Sequence, residues 1–237
     1  MDRAEEFIHL FNQVENFLTQ LVRPQKFPRF WKLVEDASVL SAAVRANSAD
    51  LKQFGNLRNA IVHDAGYPSH IVAVPSEEAL LRFKGIVHEV IEPTPLIPTF
   101  ATQVRCFDPG DTLPGVLRFM REQDFSQVIV SSDGRLSMLT VEGITKWLAD
   151  HLIGNQASAG NVTLDTVLAL EPPDSFIVMG PDKTIFDAAD AFKNSINRKA
   201  TRLYAIAITE SGGKSDQPIG FVTPWDLVHS PRLRLAS

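Results

Sequence analysis

The sequence predicts an α+β protein of two domains, a four-helix bundle followed by a duplicated β-α-β-β-α unit. Three observations carry this. Apolar residues recur at helical spacing through residues 1–92, three prolines fall within residues 93–98, and the chain beyond them repeats one pattern 72 positions apart. The expected boundaries are residues 1–92 for the helical domain, 93–98 for a linker, 99–154 for the first repeat and 155–237 for the second.

With 237 residues, 44% hydrophobic and 22% charged, the chain has the balance of a globular protein large enough for two small domains. A single cysteine, Cys106, excludes an internal disulfide and any multi-cysteine metal site, and fits a reducing cytoplasm. The start, Met1-Asp2-Arg3-Ala4-Glu5-Glu6, is charged and leads into an amphipathic helix, unlike a signal peptide. No apolar run approaches the roughly 20 residues of a membrane span, so no membrane partner is expected. A formal net charge of −5 argues against tight nonspecific binding of nucleic acid and leaves local recognition of a phosphate open. The histidines, His9, His63, His70, His88, His151 and His229, are scattered without metal-ligand spacing, and no metal site is proposed.

Residues 3–22 place Phe7, Leu10, Phe11, Val14, Phe17, Leu18 and Leu21 three and four apart, which predicts a first helix with one apolar stripe. Pro24 and Pro28 punctuate it. Phe30, Trp31, Leu33, Val34, Ala37, Leu40 and Val44 predict a second helix over residues 28–45. Ser48 is the expected N-cap of a third, with Asp50 in its first turn, and Leu51, Phe54, Leu57, Ile61 and Val62 on its buried side. Gly55 interrupts that helix, which suits close helix contact. After the turn Ala65-Gly66-Tyr67-Pro68 and the short apolar run Ile71-Val72-Ala73-Val74, Pro75-Ser76 opens a fourth helix. Glu77 and Glu78 lie at its positive end, and Leu80, Leu81, Phe83, Ile86, Val87, Val90 and Ile91 form its face.

Near the end of the third helix, Leu57-Arg58-Asn59-Ala60-Ile61-Val62-His63-Asp64 gathers a cation, an amide and an imidazole. Asn59 and His63 are four apart and share a face, and Arg58 can swing around the turn toward them. A guanidinium suits a planar phosphate or carboxylate, and an imidazole moves protons near neutral pH. The same residues also fit an exposed helix face, with His63 favouring the negative end of the dipole. The string Arg58-Asn59-x-x-x-His63 resembles the Arg-x(4–6)-His motif of HEPN domains, with a polar residue after the Arg as in ribonuclease-type members. That resemblance implies a helical bundle that pairs as a homodimer. It also implies a metal-independent endoribonuclease in which His63 is the general acid or base, Arg58 stabilises the transition state and Asn59 orients the His or the phosphate.

Beyond the linker, Pro109-Gly110-Asp111-Thr112-Leu113 returns as Pro181-Asp182-Lys183-Thr184-Ile185. Each copy continues with an apolar helix (Val116, Leu117, Met120; then Ala188, Ala189, Phe192) and a β-branched strand (Gln127-Val128-Ile129-Val130; then residues 203–208). A polar turn follows (Ser131-Ser132-Asp133-Gly134; then Ser211-Gly212-Gly213-Lys214). A second strand (Leu136-Ser137-Met138-Leu139-Thr140; then Ile219-Gly220-Phe221-Val222-Thr223) and a helix (residues 141–151; then 224–229) end each copy. Gly212-Gly213-Lys214-Ser215 reads as a hairpin turn, since it lacks the upstream glycine and strand-to-helix setting of a phosphate loop.

Gly220-Phe221-Val222-Thr223-Pro224-Trp225-Asp226-Leu227 resembles the closing signature of a CBS domain, and Phe125-Ser126-Gln127-Val128-Ile129-Val130 resembles the strand that precedes it in the other copy. The resemblance covers residues 99–232. It implies a pseudo-symmetric pair with clefts between the repeats, in which many members bind adenosine nucleotides. Thr223 could meet an anion at a helix start, and Asp226 could hold two ribose hydroxyls; the two residues are equally suited to capping the helix. Trp225 stands where many nucleotide-binding members carry a basic residue, and can stack on a base or pack. In the first copy Thr140 is followed by Gly143 at the Asp position, with Glu142 as a substitute acid. Arg198, Lys199 and Arg202 either reach phosphates or form a solvated loop.

The sequence therefore supports an adenosine-nucleotide-sensing CBS module that controls a HEPN-like helical domain, in a cytoplasmic homodimer. The ligand would be AMP, ADP or ATP at Thr223, Asp226, Trp225, Arg202 and Thr140, and no further cofactor is required. The alternative is an endoribonuclease acting on RNA through Arg58, Asn59 and His63, regulated by nucleotide on the CBS pair.

Overall fold

The structure, a computed structural model, describes residues 2–26, 28–62, 73–153, 161–172, 174–197 and 202–229. The chain divides into two compact units between Thr94 and Pro95.

The described residues of the first unit form helices α1 (Arg3–Val22), α2 (Phe30–Leu40), α3 (Ala42–Ala46), α4 (Ser48–Val62) and α5 (Glu77–Ile91). One core joins them, and its centre is aromatic. The ring centroids of Phe7 and Phe83 lie 4.8 Å apart, those of Phe54 and Phe83 4.6 Å, and those of Phe11 and Phe30 4.4 Å. These rings come from α1, α5, α4 and α2, so the stripe that makes each helix amphipathic also makes the helices mutually dependent. Gly55 works as a contact point, because a Cβ there would lie 2.8 Å from the Phe30 ring.

Three expectations for this unit change. The helix expected over residues 28–45 breaks at Ser41, whose backbone is extended (φ −132°, ψ 123°) and whose Oγ accepts the Val44 amide, restarting the chain as α3. Ser48 is the first residue of α4 rather than its cap, and the Asn47 carbonyl accepts the Leu51 amide at 2.9 Å. Trp31, Leu40 and Leu81, expected on buried faces, are 49%, 59% and 70% exposed, because each helix turns its other apolar residues inward. Ser76 caps α5 as expected, accepting the Ala79 amide. His63, the turn after it and the residues Ile71-Val72 lie outside the described residues.

The second half of the proline-rich segment is not a free spacer. It forms a single turn, α6 (Leu96–Thr99), within the second unit. Leu96 is fully buried, and its amide donates to the Lys183 carbonyl at 2.8 Å. The chain then runs along what becomes the last strand: Ala101 bridges Gly220, and the Thr102 amide donates to the Ile219 carbonyl at 3.2 Å.

The rest of the unit contains the same order of elements twice. First come β1 (Cys106–Phe107), α7 (Leu113–Gln123), β2 (Gln127–Ser132), β3 (Arg135–Thr140) and α8 (Val141–Ile153), followed by a short helix α9 (Leu164–Leu168). Then come β4 (Phe176–Met179), α10 (Ile185–Asn197), β5 (Ala205–Thr209), β6 (Pro218–Val222) and α11 (Pro224–Val228). Each copy makes a three-stranded sheet, β1-β2-β3 or β4-β5-β6, with a parallel pair across the helix and an antiparallel hairpin. In the first hairpin Asp133 (φ 48°) and Gly134 (φ 75°) make the two-residue turn, the left-handed pair that matches strand twist. The two sheets share a core of Ile129, Leu136 and Met138 from one and Phe176, Ala205 and Ala207 from the other. The first sheet's other face packs under Val116, Met120, Trp147, Leu164 and Val167. With apolar surface on both faces, the central strands carry the apolar runs Val128-Ile129-Val130 and Ala205-Ile206-Ala207-Ile208, and every residue of β5 is buried. Among the described residues no helix is long and apolar enough to cross a membrane.

Gly220 lies against backbone. A Cβ there would lie 2.6 Å from the Phe100 carbonyl oxygen and 3.0 Å from side-chain carbons of Ile208 and Ile97. Gly220→Ala is therefore expected to lower stability by about 1–3 kcal/mol in urea unfolding and to speed hydrogen exchange at the Thr102 amide. Unchanged exchange there would show that the segment is not held by β6.

Candidate functional site

Two matched junctions, where each hairpin's second strand passes into a helix, carry most of the expected nucleotide-binding residues. At the second, Thr223 caps α11. Its amide donates to Asp226 Oδ2 at 2.7 Å, its hydroxyl donates to the same oxygen at 2.6 Å, and the Asp226 amide points back at the hydroxyl at 3.4 Å. This is a reciprocal capping arrangement. Both donors engage one carboxylate oxygen, and Asp226 remains exposed. α11 has five residues, so it brings little macrodipole, and side chains would have to meet a phosphate here. Trp225 is 70% exposed, not packed; its ring lies 4.6 Å from that of His229, whose Nδ1 is 2.9 Å from the Trp225 carbonyl oxygen.

The first junction is closed. Thr140 is fully buried, and its amide donates to Glu171 Oε1 at 2.6 Å while its hydroxyl reaches Oε2 at 2.9 Å. The Gly143 amide donates to the same hydroxyl at 3.2 Å. Glu171 thus stands where Asp226 stands in the second copy, having arrived from the chain between α9 and β4. Gly143 is required by this exchange, since a Cβ at that position would fall 2.1 Å from Glu171 Oε1.

Glu142, the expected substitute acid, does not serve Thr140. It accepts the Tyr204 hydroxyl at 2.5 Å and pairs with Lys146 at 2.7 Å. Those two partners, Lys146 first, hold its carboxyl below the usual range. Arg202 lies over the Tyr204 ring at 4.9 Å, on the first junction's side, and among the described residues makes no hydrogen bond or ion pair with Asp226. The structure therefore groups Thr140 with Arg202, through Tyr204 and Glu142, and Thr223 with Trp225 and Asp226. Arg198 and Lys199 lie outside the described residues.

No family model matches the chain, and no curated protein matches it. Among solved structures, a Methanocaldococcus jannaschii protein proposed as an archaeal homologue of g-AMPK is 17% identical with a TM-score of 0.44, covering 73% of this chain and 62% of its own. The CBS domain of a CBS-domain-containing membrane protein from Sphaerobacter thermophilus is 19% identical with a TM-score of 0.45, covering 64% of this chain and 94% of its own. CBSX2 in complex with AMP is 16% identical with a TM-score of 0.39, covering 55% and 90%. At these identities and scores none of them carries a function across to this chain.

In the first unit, Arg58 and Asn59 of α4 line one open groove of about 590 Å³ with Phe11, Phe30, Trp31, Arg29 and Lys52. The Arg58 guanidinium lies 5.8 Å over the Phe11 ring, and its buried Nε has no acceptor among the described residues. An orphaned buried donor of this kind costs about 1–3 kcal/mol. His63 is outside the described residues, so the expected Arg58–Asn59–His63 constellation has two members with a described position, and they share one groove.

Sequence reasoning missed Glu171. The signal was present: a glycine at the acid position beside a threonine leaves two buried donors, which require a carboxylate from elsewhere. It also missed Tyr204, Arg29 and Lys52, whose relevance depends on long-range packing.

The Thr140 arrangement gives a double-mutant test. Glu171→Ala strands the Thr140 amide and hydroxyl, and Gly143→Asp pushes a carboxylate into occupied space; each alone is expected to cost about 1–3 kcal/mol. Combined, the two should rebuild the Thr223–Asp226 arrangement and recover at least half of the summed loss in denaturant unfolding. Simple additivity would show that Glu171 is not replacing a residue at 143. A pH test follows as well. Burial, opposed by the two Thr140 bonds, pushes the Glu171 carboxyl above its usual range. Its contribution to stability is thus fully present below the ordinary glutamate range and lost as pH rises through the raised folded value. Glu171→Gln should flatten that slope in unfolding measured across the acidic range.

Proposed function

We propose that the second unit is a tandem CBS module that binds an adenosine nucleotide at the Thr223–Asp226 junction and regulates the helical unit, itself read as HEPN-like. The observation that supports this best is the asymmetry of the two junctions. Thr223, Trp225 and Asp226 carry the closing signature; Trp225 and Asp226 are exposed and Thr223 is half-buried. Asp226 would hold the ribose hydroxyls and Trp225 the base. Thr140 is buried and already satisfied by Glu171, so it serves the fold and one nucleotide binds per chain.

Regulation would run through the backbone. β6 leads into Thr223, and its edge is bonded to the segment around residues 100–102, near the start of the second unit. A ligand that prefers one setting of β6 by about 1.4 kcal/mol shifts the states ten-fold.

Isothermal titration of the full chain with AMP, ADP and ATP tests this. One equivalent of at least one nucleotide should bind, Asp226→Asn should weaken it by about ten-fold or more, and Thr140→Val should leave it unchanged. No binding of any of the three, or equal binding by Asp226→Asn, would overturn the assignment.

A second reading concerns the helical unit. Arg58 and Asn59 line one groove, which favours a metal-independent endoribonuclease completed by His63 in a homodimer. Cleavage of labelled RNA in excess chelator by the wild type, lost in His63→Ala, is the expected result. No cleavage by the wild type would reject it.

A further inference from the structure

The groove of the first unit has a chemistry that the nucleotide reading of the second unit does not use, and the inference drawn from it is independent of that reading. Its floor is aromatic, Phe11 and Phe30, and its rim carries Trp31, 49% exposed. Three cations border it, Arg29, Lys52 and Arg58, against one carboxylate, Glu15. Lys52 is engaged by Glu35 at 3.0 Å. Arg58 is different: its Nε is buried and has no acceptor among the described residues, and its guanidinium is backed by the Phe11 ring. Because Nε is closed off from the groove, an anion entering there would meet the terminal Nη1 and Nη2 of Arg58, whose paired N–H groups suit two oxygens of one anion. The volume, about 590 Å³, is that of a small-molecule site rather than a track for a long polymer.

We propose that this groove binds a small organic anion that carries a flat ring. The carboxylate or phosphate group would sit on Arg58, with Arg29 adding charge from the rim, and the ring would lie against Phe30 and Trp31. Asn56 and Asn59, also in the lining, would give the ring's polar edge donors and acceptors. The occupant is defined by this pairing of features: a bare inorganic anion leaves the aromatic surface wet, and a neutral ring leaves Arg58 unpaired.

The test uses the full chain and four probes in ligand-observed NMR titrations: phenyl phosphate, benzoate, inorganic phosphate and benzyl alcohol. Saturable binding of phenyl phosphate or benzoate is expected, about ten-fold tighter than that of the two single-feature probes. Whichever of the two aromatic anions is preferred identifies the anionic group. Arg58→Gln should weaken the preferred probe by ten-fold or more. Arg29→Ala, an exposed change that leaves the core intact, should weaken it by a smaller factor, which keeps the proposal testable if the Arg58 variant does not fold. Asp226→Asn should bind the probe as the wild type does, placing the site away from the junction in the second unit. Three outcomes would overturn the proposal: no saturable binding of either aromatic anion, equal binding by both arginine variants, or displacement by oligouridylates with an affinity that grows steadily with length.

Discussion

A threonine at the end of a strand leaves an amide and a hydroxyl facing the turn into the next helix, and both need a carboxylate. The second unit is arranged around meeting that need twice. In the second copy the acid is local, Asp226, three residues on, and the junction stays open to solvent. In the first, Thr140 is fully buried and the acid is remote, Glu171, reaching in from 31 residues away. The second solution forces Gly143 to have no side chain, ties the chain after α9 to the end of β3, and uses up the junction. One duplicated motif thus yields one closed junction that ties the fold together and one whose acid stays exposed.

The same economy of backbone contacts governs how the second unit begins. Pro95, Leu96 and the residues around Phe100 could have been a loose tether. Instead Leu96 is buried and bonded to Lys183, and Phe100 lies so close to Gly220 that no larger residue fits beneath it. A glycine that belongs to a sequence signature therefore has a structural cause in this chain. It lets the entering segment lie on β6, the strand that leads into Thr223. Any change in β6 reaches that segment through hydrogen bonds, with no side chain needed as intermediary.

In the first unit, aromatic packing does the equivalent work. Phe7, Phe11, Phe54 and Phe83 hold α1, α4 and α5 together, and Phe30 joins them only because Gly55 makes room. The close approach of α2 to α4 at that point forms one wall of the groove. Arg58 is drawn over Phe11 there, with its Nε buried and, among the described residues, unpaired.

Periodicity and punctuation decide local structure through interactions within a few residues, so these were legible: the first and last helices of the helical unit, both hairpins, the duplicated order of elements, and the capping pair Thr223–Asp226. The residues also singled out Arg58, Asn59 and Asp226 as candidate site residues. The break at Ser41, the outward turn of Trp31 and Leu81, and the docking of Leu96 were not legible, because each depends on which of several apolar faces finds a partner. Glu171 is the clearest case. Composition and spacing around Thr140 show only that an acid is missing at Gly143. Which acid supplies the carboxylate depends on the path of the chain through space, and the need of a buried amide and hydroxyl for an acceptor is what draws Glu171 there.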